Sequence, residues 1–185
     1  MSAQVTPSQT AGPFLHIGML WPDGPTVVAA DEPGAIWISG HIVDGAGEPV
    51  ADGLVETWQA DTQGRFASAE DPRGTTTDFR GWGRCETDAQ GWWRIRTVKP
   101  GPVPGPHGSV QAPHIDVTVH ARGLLRQLLT RIYFADESET NAADPVLAGL
   151  PGDAARRTLL AQPVEGGYHH EMMLQGDDAT VFFDA

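Results

Sequence analysis

Ile36-Trp37-Ile38-Ser39-Gly40-His41-Ile42-Val43, then the break Asp44-Gly45-Ala46-Gly47, then Gly53-Leu54-Val55-Glu56-Thr57-Trp58-Gln59: this stretch sets the fold. The first run is rich in β-branched and aromatic residues, and the break is a strong turn signal. The second run alternates apolar with polar, as a half-buried strand does. The same grammar extends outward. Asp61-Thr62-Gln63-Gly64 and Asp88-Ala89-Gln90-Gly91 turn the chain again, the latter leading into the strand-like run Trp92–Val98. Further strands are expected at residues 114–121, 130–134, 168–174 and 180–183. Residues 99–108 hold four prolines and must be non-regular, while residues 67–82 read as a long surface loop. Asp144-Pro145 and Asp153 look like helix starts, residues 156–160 suit a short helix, and the acidic residues 135–139 read as a solvated loop. The expectation is an all-β fold: a β-sandwich of roughly eight strands with short helices.

Residues 1–34 differ in kind. Rich in Pro, Gly, Thr and Ala and without periodicity, they read as an extended N-terminal arm or interface segment, with the β domain at 35–185. The 22 Gly and 15 Pro fit many short strands joined by tight turns. A net charge of -12 argues against nucleic acid or an anionic membrane as partner, since both need clustered Lys and Arg. It does not exclude a small anionic substrate, because one local arginine reverses the sign inside a pocket. Cys85 stands alone, so no internal disulfide or Cys-rich zinc pattern is possible. The polar residues 1–12 lack the features of a signal peptide, and no apolar run approaches the ~20 residues of a membrane span. A cytoplasmic protein is expected.

Several motifs together carry a resemblance. They are Glu56-Thr57-Trp58-Gln59-Ala60-Asp61 with Gly64-Arg65-Phe66, Thr97-Val98-Lys99-Pro100-Gly101-Pro102-Val103-Pro104, Pro113-His114-Ile115-Asp116, Arg131-Ile132-Tyr133-Phe134 and Thr180-Val181-Phe182-Phe183. From about Thr6 onward the chain resembles the intradiol ring-cleaving dioxygenases. That family's Fe(III) is held by two Tyr and two His, the His spaced i and i+2 on one strand face. The resemblance sets Phe66 and Val103 at the two tyrosine positions and Asp116 at the second histidine, leaving His114 as a relic. Gln111 aligns with a pocket arginine of the family and Arg131 with a pocket glutamine. Phe and Val offer no donor atom, and the chain's two tyrosines, Tyr133 and Tyr168, lie elsewhere. No catalytic residue and no metal are expected on this chain.

Some members of the family pair two homologous chains, an alpha chain that keeps the fold and a beta chain that keeps the iron. Pro7-Ser8-Gln9-Thr10-Ala11-Gly12-Pro13-Phe14-Leu15-His16-Ile17-Gly18 resembles the alpha-type arm, which reaches across the interface into the wall of its partner's substrate pocket. The implied role is a subunit of an Fe(III)-dependent enzyme that opens protocatechuate with O2 to 3-carboxy-cis,cis-muconate. The implied partners are a homologous beta subunit, which binds the Fe(III), and the aromatic substrate at the shared interface. Thr10, Gly12, Pro13, Phe14 and Arg122 are carried over as pocket-wall residues.

Plainer readings stand beside these. His114 reads as a buried or interface histidine bonding a backbone carbonyl, and Asp116 as an ion-pair partner. Residues 10–13 could be a disordered tail, and Arg122 a rim salt bridge. Trp58, Trp92 and Trp93 suit packing more than substrate stacking, and His169 and His170 point to opposite faces of a strand. The rival function is a non-enzymatic module. Gly40 to Pro49 also fits a motif of transthyretin-like and carboxypeptidase-regulatory β-sandwiches.

Overall fold

A computed structural model describes residues 7–73 and 79–184, without the side chains of Pro13 and His16. The start of the polar N-terminus and part of the expected surface loop therefore lie outside the described residues. Ten strands run β1 Ala35–Val43, β2 Leu54–Gln59, β3 Trp82–Glu86, β4 Trp92–Val98, β5 Val103–Pro104, β6 Val110–Gln111, β7 His114–His120, β8 Leu128–Phe134, β9 Leu160–Val164 and β10 Gly167–Met173. Among the described residues the short α-helices are α1 Pro13–Met19, α2 Ser138–Ala143, α3 Pro145–Ala148 and α4 Asp153–Arg157, with one 3-10 turn at Pro106–Gly108.

Eight strands form one sheet in the order β3-β2-β7-β8-β9-β10-β1-β4. The all-β expectation holds, while two separate facing sheets are not confirmed: the eight strands link into a single sheet that is nearly closed. The reason is β9, which pairs in parallel with β8 at Tyr133↔Leu160 and antiparallel with β10 at Tyr168↔Pro163, joining two halves that would otherwise face each other. At the other end, edge strands β3 and β4 lie against each other, and residues 24–27 are laced between them. Arg84 N donates to Gly24 O at 2.8 Å, and Arg96 N donates to Pro25 O at 2.7 Å. Val27 N then donates to Arg96 O at 2.8 Å. Both edges thus gain backbone partners where an open sheet would leave unpaired N–H and C=O groups.

Inside the curl, Ile38, Ile42, Val55, Ile95, Val117, Val119, Ile132 and Met172 form the main core, joined by Val27 and Val28 from the segment before β1. Each such side chain contributes roughly 1.5–3 kcal/mol by leaving water. A smaller cluster of Ala112, Tyr133, Leu147 and Leu159 packs against the outer face, with α3 laid over it.

The Asp-x-x-Gly turns that begin at Asp44, Asp61 and Asp88 share one construction. In each, the Asp Oδ1 accepts two backbone N–H bonds and the Gly N–H closes on the Asp carbonyl. Gly64, at φ 73, and Gly91, at φ 79, take the left-handed conformation that glycine reaches without steric cost.

Some elements depart from expectation. Residues 180–183 form no strand, contributing the single bridge Leu129↔Phe183. The helix expected through Leu160 stops at Arg157, because Leu160 opens β9. Ser138 opens α2 inside the run expected to be loop. Residues 13–19 are helical within the segment expected to be extended, with Gly12 as N-cap and Pro13 in the first turn, where a missing N–H costs nothing.

Candidate functional site

The strand register decides what shares a face. Antiparallel partners across a ladder point the same way, as do residues i and i+2. With His114↔Tyr133, Asp116↔Arg131 and Trp58↔Asp116 paired, these five side chains occupy one face, opposite Ile115, Val117 and Ile132 in the core. The His-x-His geometry of the family is therefore kept by a His-x-Asp pair.

Arg131 occupies the middle of that face. Its Nε donates to Asp116 Oδ1 at 2.8 Å, and its Nη1 donates to Gln111 Oε1 at 2.7 Å and to the Tyr133 hydroxyl at 3.3 Å. Burial opposes the guanidinium's charge, but Asp116 and the Tyr133 hydroxyl more than offset it, and Arg131 stays a cation. The Tyr133 hydroxyl in turn faces Asp144 Oδ1 at 3.3 Å, and burial pushes its pKa up to about 12. His114 is buried, with Nδ1 donating to Ala112 O at 2.7 Å. Burial first, then the Arg131 charge, hold the imidazole below its ordinary pKa, so it is neutral at neutral pH. The carbonyl-bonded histidine and the ion-paired Asp116 of the plainer reading are both in place.

The other two positions are close by. Phe66 stacks on Trp58 with ring centroids 5.9 Å apart, and buried Val103 pairs with Gln111 across the β5–β6 ladder. The loops carrying them interlock. Gly101 N donates to Asp61 O at 2.8 Å, and a Cβ on Gly64 would lie 2.0 Å from Pro102 O. Buried Gln59 spans β2 and β4, donating to Val98 O at 2.9 Å and accepting from Thr97 Oγ1 at 2.8 Å. The motif residues thus hold a frame whose centre is a guanidinium. Donors for a ferric ion do not fit here: phenyl and isopropyl groups stand at two positions, and the carboxylate at a third already holds a cation. Among the described residues no three His, Cys, Asp or Glu side chains are grouped to hold a metal ion.

The arm meets the sheet at the opposite end of β7. Thr10 Oγ1 accepts from Gly123 N at 2.8 Å. Thr10, Leu15, His120 and Leu124 line a cavity of about 220 Å³. Gly12 has φ -88 and an exposed Cα, and among the described residues beyond its two chain neighbours nothing lies within 4 Å of where a Cβ would point. Neither backbone nor neighbours of its own chain call for glycine there. Phe14 and Ile17 are 81% and 66% exposed, and Leu125 on the facing turn is 63% exposed. Arg122 is exposed and ion-paired with Asp52. Backbone contact thus brings Thr10 beside the Arg122 turn, while Phe14 projects outward and the Pro13 side chain lies outside the described residues.

Sequence reading missed Arg84 and caught only part of the role of Asp144. Asp144 caps α3 through Val146 N and Leu147 N at 2.8 and 2.9 Å, and its other oxygen accepts from Ala112 N at 2.8 Å. The Asp-Pro pair signalled the cap but not the tie to the His114 strand. Arg84 lies over Trp21 and Trp82, pairs with Glu56, and donates to Met19 O at 2.9 Å, fixing the base of α1. A larger cleft of about 680 Å³, beside Trp21, Trp37 and Trp92, includes none of the expected site residues. Its Cys85 thiol is buried and pushed up to about 12, so it is no nucleophile.

A family model described as Dioxygenase (Dioxygenase_C) matches residues 14–174. The chain is 40% identical to the protocatechuate 3,4-dioxygenase alpha chain of Pseudomonas putida, over 97% of this chain and 96% of that one. It is 37% identical to the protocatechuate 3,4-dioxygenase beta chain of Burkholderia cepacia, over 78% of this chain and 66% of that one. The dioxygenase domain of a carbohydrate-binding fusion protein from Streptomyces sp. SirexAA-E superposes with a TM-score of 0.59 at 26% identity, covering 91% of this chain and 96% of that one. Likeness along nearly the whole length means that the chain belongs to the intradiol dioxygenase family.

Proposed function

We propose that this chain is the non-catalytic alpha subunit of a protocatechuate 3,4-dioxygenase working in the cytoplasm, with iron and all its ligands on a homologous beta subunit. One observation carries the reading: on the strand face where the resemblance expects iron ligands stands a guanidinium-carboxylate pair, Arg131 with Asp116. The full-length likeness to alpha chains supports it over a transthyretin-like binding module. In this reading the complex opens protocatechuate between its hydroxyl-bearing carbons with O2, giving the carboxymuconate.

The chain's own part is to build a wall. Thr10 uses its oxygen lone pair on Gly123 N, so its proton stays free to donate across the interface. Gly12 leaves room for the partner's backbone or the substrate ring to approach closely. Phe14 and Pro13 cover apolar surface on the partner, and Arg122 places a permanent cation near the substrate carboxylate. Reconstitution tests this. Adding the chain to its purified beta subunit should restore ring cleavage that neither shows alone, and full activity of the beta subunit by itself would contradict it.

A further inference from the structure

We infer that Arg131 is a built-in cation that keeps metal out of the ligand face of this chain, a cause of iron exclusion separate from the missing tyrosines. The inference rests on the reading that iron belongs to the partner. It adds that restoring donors would not by itself restore a metal site.

Two of the four ligand positions still carry donor atoms, His114 and Asp116. The histidine keeps a nitrogen available: its Nδ1 is bonded to Ala112 O at 2.7 Å, an orienting bond that leaves Nε2 as its single possible donor. The carboxylate is committed. Asp116 Oδ1 accepts from Arg131 Nε at 2.8 Å. A metal ion on that carboxylate would sit within a few ångströms of a guanidinium, which cannot shed its charge by losing a proton. Nor is the guanidinium loosely placed. Gln111 Oε1 and the Tyr133 hydroxyl hold its Nη1, and Tyr133 is itself held by buried Asp144. Moving Arg131 aside would strand these partners at the edge of the second core, where unpaired polar groups are costly. The groups that position Arg131 all come from the segments bordering the ligand face: Gln111 on β6, Asp116 on β7, Tyr133 on β8 and Asp144 at the cap of α3. The positive charge that a metal would bring to this face is supplied by the protein itself.

A two-by-two comparison on the full-length chain tests the idea. The proteins are wild type, Arg131→Gln, the double variant Phe66→Tyr with Val103→Tyr, and the triple variant combining all three changes. Each is incubated with ferrous iron in air, desalted, and read by elemental analysis and by the visible tyrosinate-to-iron charge-transfer band. The double variant should retain below about 0.1 iron per chain, and the triple variant at least fivefold more, roughly in proportion to its coloured band. Arg131→Lys on the double-variant background should stay iron-poor, which separates charge from space. Equal iron in the double and triple variants, or none in a folded triple variant, would overturn the inference. Melting curves establish folding. A triple variant too unstable alone is purified in complex with the beta subunit and read as iron per complex above the wild-type complex. Stoichiometric iron in the wild-type chain would instead overturn the proposed function, so the two failures are distinguishable.

Discussion

The hydroxyl of Thr10 accepts a hydrogen bond from the backbone of Gly123 at 2.8 Å, joining residues 113 apart in sequence. That contact sets the arm beside the turn bearing Arg122. Thr10→Val keeps the shape and removes the acceptor, at a cost to the isolated chain of no more than about 1 kcal/mol because the site is exposed. In the complex with the beta subunit it should raise the Michaelis constant for protocatechuate several-fold. Gly12→Leu should do the same, with melting unchanged, since its own chain leaves that space open. Steady-state kinetics on the complex decide, and an unaltered constant in both variants would remove the arm from the pocket wall.

Arg84 links the arm's helix to the sheet. Its guanidinium lies 5.1 Å from the Trp21 ring centroid and 4.7 Å from that of Trp82, and it bonds Glu56 and Met19 O. Arg84→Ala leaves the partly buried Glu56 with His120 as its remaining partner and should cost about 2 kcal/mol in denaturant unfolding. Affinity for the beta subunit should fall as well, because α1 loses its fixed base. A variant as stable as wild type would show that the stack is incidental.

Asp144 caps one helix and ties it to the strand before His114. Asp144→Ala removes four hydrogen bonds and should destabilise the fold by about 2–4 kcal/mol, and Asp144→Asn by less. A loss under 1 kcal/mol, roughly that of one exposed cap, would contradict the hub role.

His170 is buried on β10, and among the described residues its Nε2 has no hydrogen-bond partner. Burial, reinforced by His169, takes its pKa down to about 4. The unfolded chain binds the same proton near 6.5. Stability is therefore complete above about pH 6.5 and falls as the pH drops from there toward 4, by on the order of 3 kcal/mol. Melting temperature against pH reads this directly. His170→Leu should lose a large part of the slope in that window, buried His114 supplying part of the rest, and an unchanged slope would place its origin elsewhere.

The strands with clean alternation, β1, β2 and β7, were legible in the chain, as were the Asp-x-x-Gly turns. β3 was not, because Gly83 interrupts its pattern for a tertiary reason: a Cβ there would lie 2.7 Å from Val27 Cγ2. β9 contains Pro163, which local rules read as a strand breaker, and its pairing with β8 closes the sheet. Residues 24–28 carry no periodic signal because their partners, β3 and β4, are more than fifty residues away. At the ligand face, sequence identified the missing donors at Phe66 and Val103. It could not show that Arg131 fills the face, since Arg131 meets Asp116 only through the β7–β8 register and Gln111 only through a contact 20 residues apart in sequence.

Iron stoichiometry tests the central claim most directly. The chain should be purified alone and in complex with its beta subunit, and iron measured per polypeptide by elemental analysis. The account predicts about one iron per alpha-beta pair and below about 0.1 in the lone chain, because Phe66, Val103 and the Arg131–Asp116 pair leave no ferric ligand set. Two irons per pair, or stoichiometric iron in the lone chain, would contradict it.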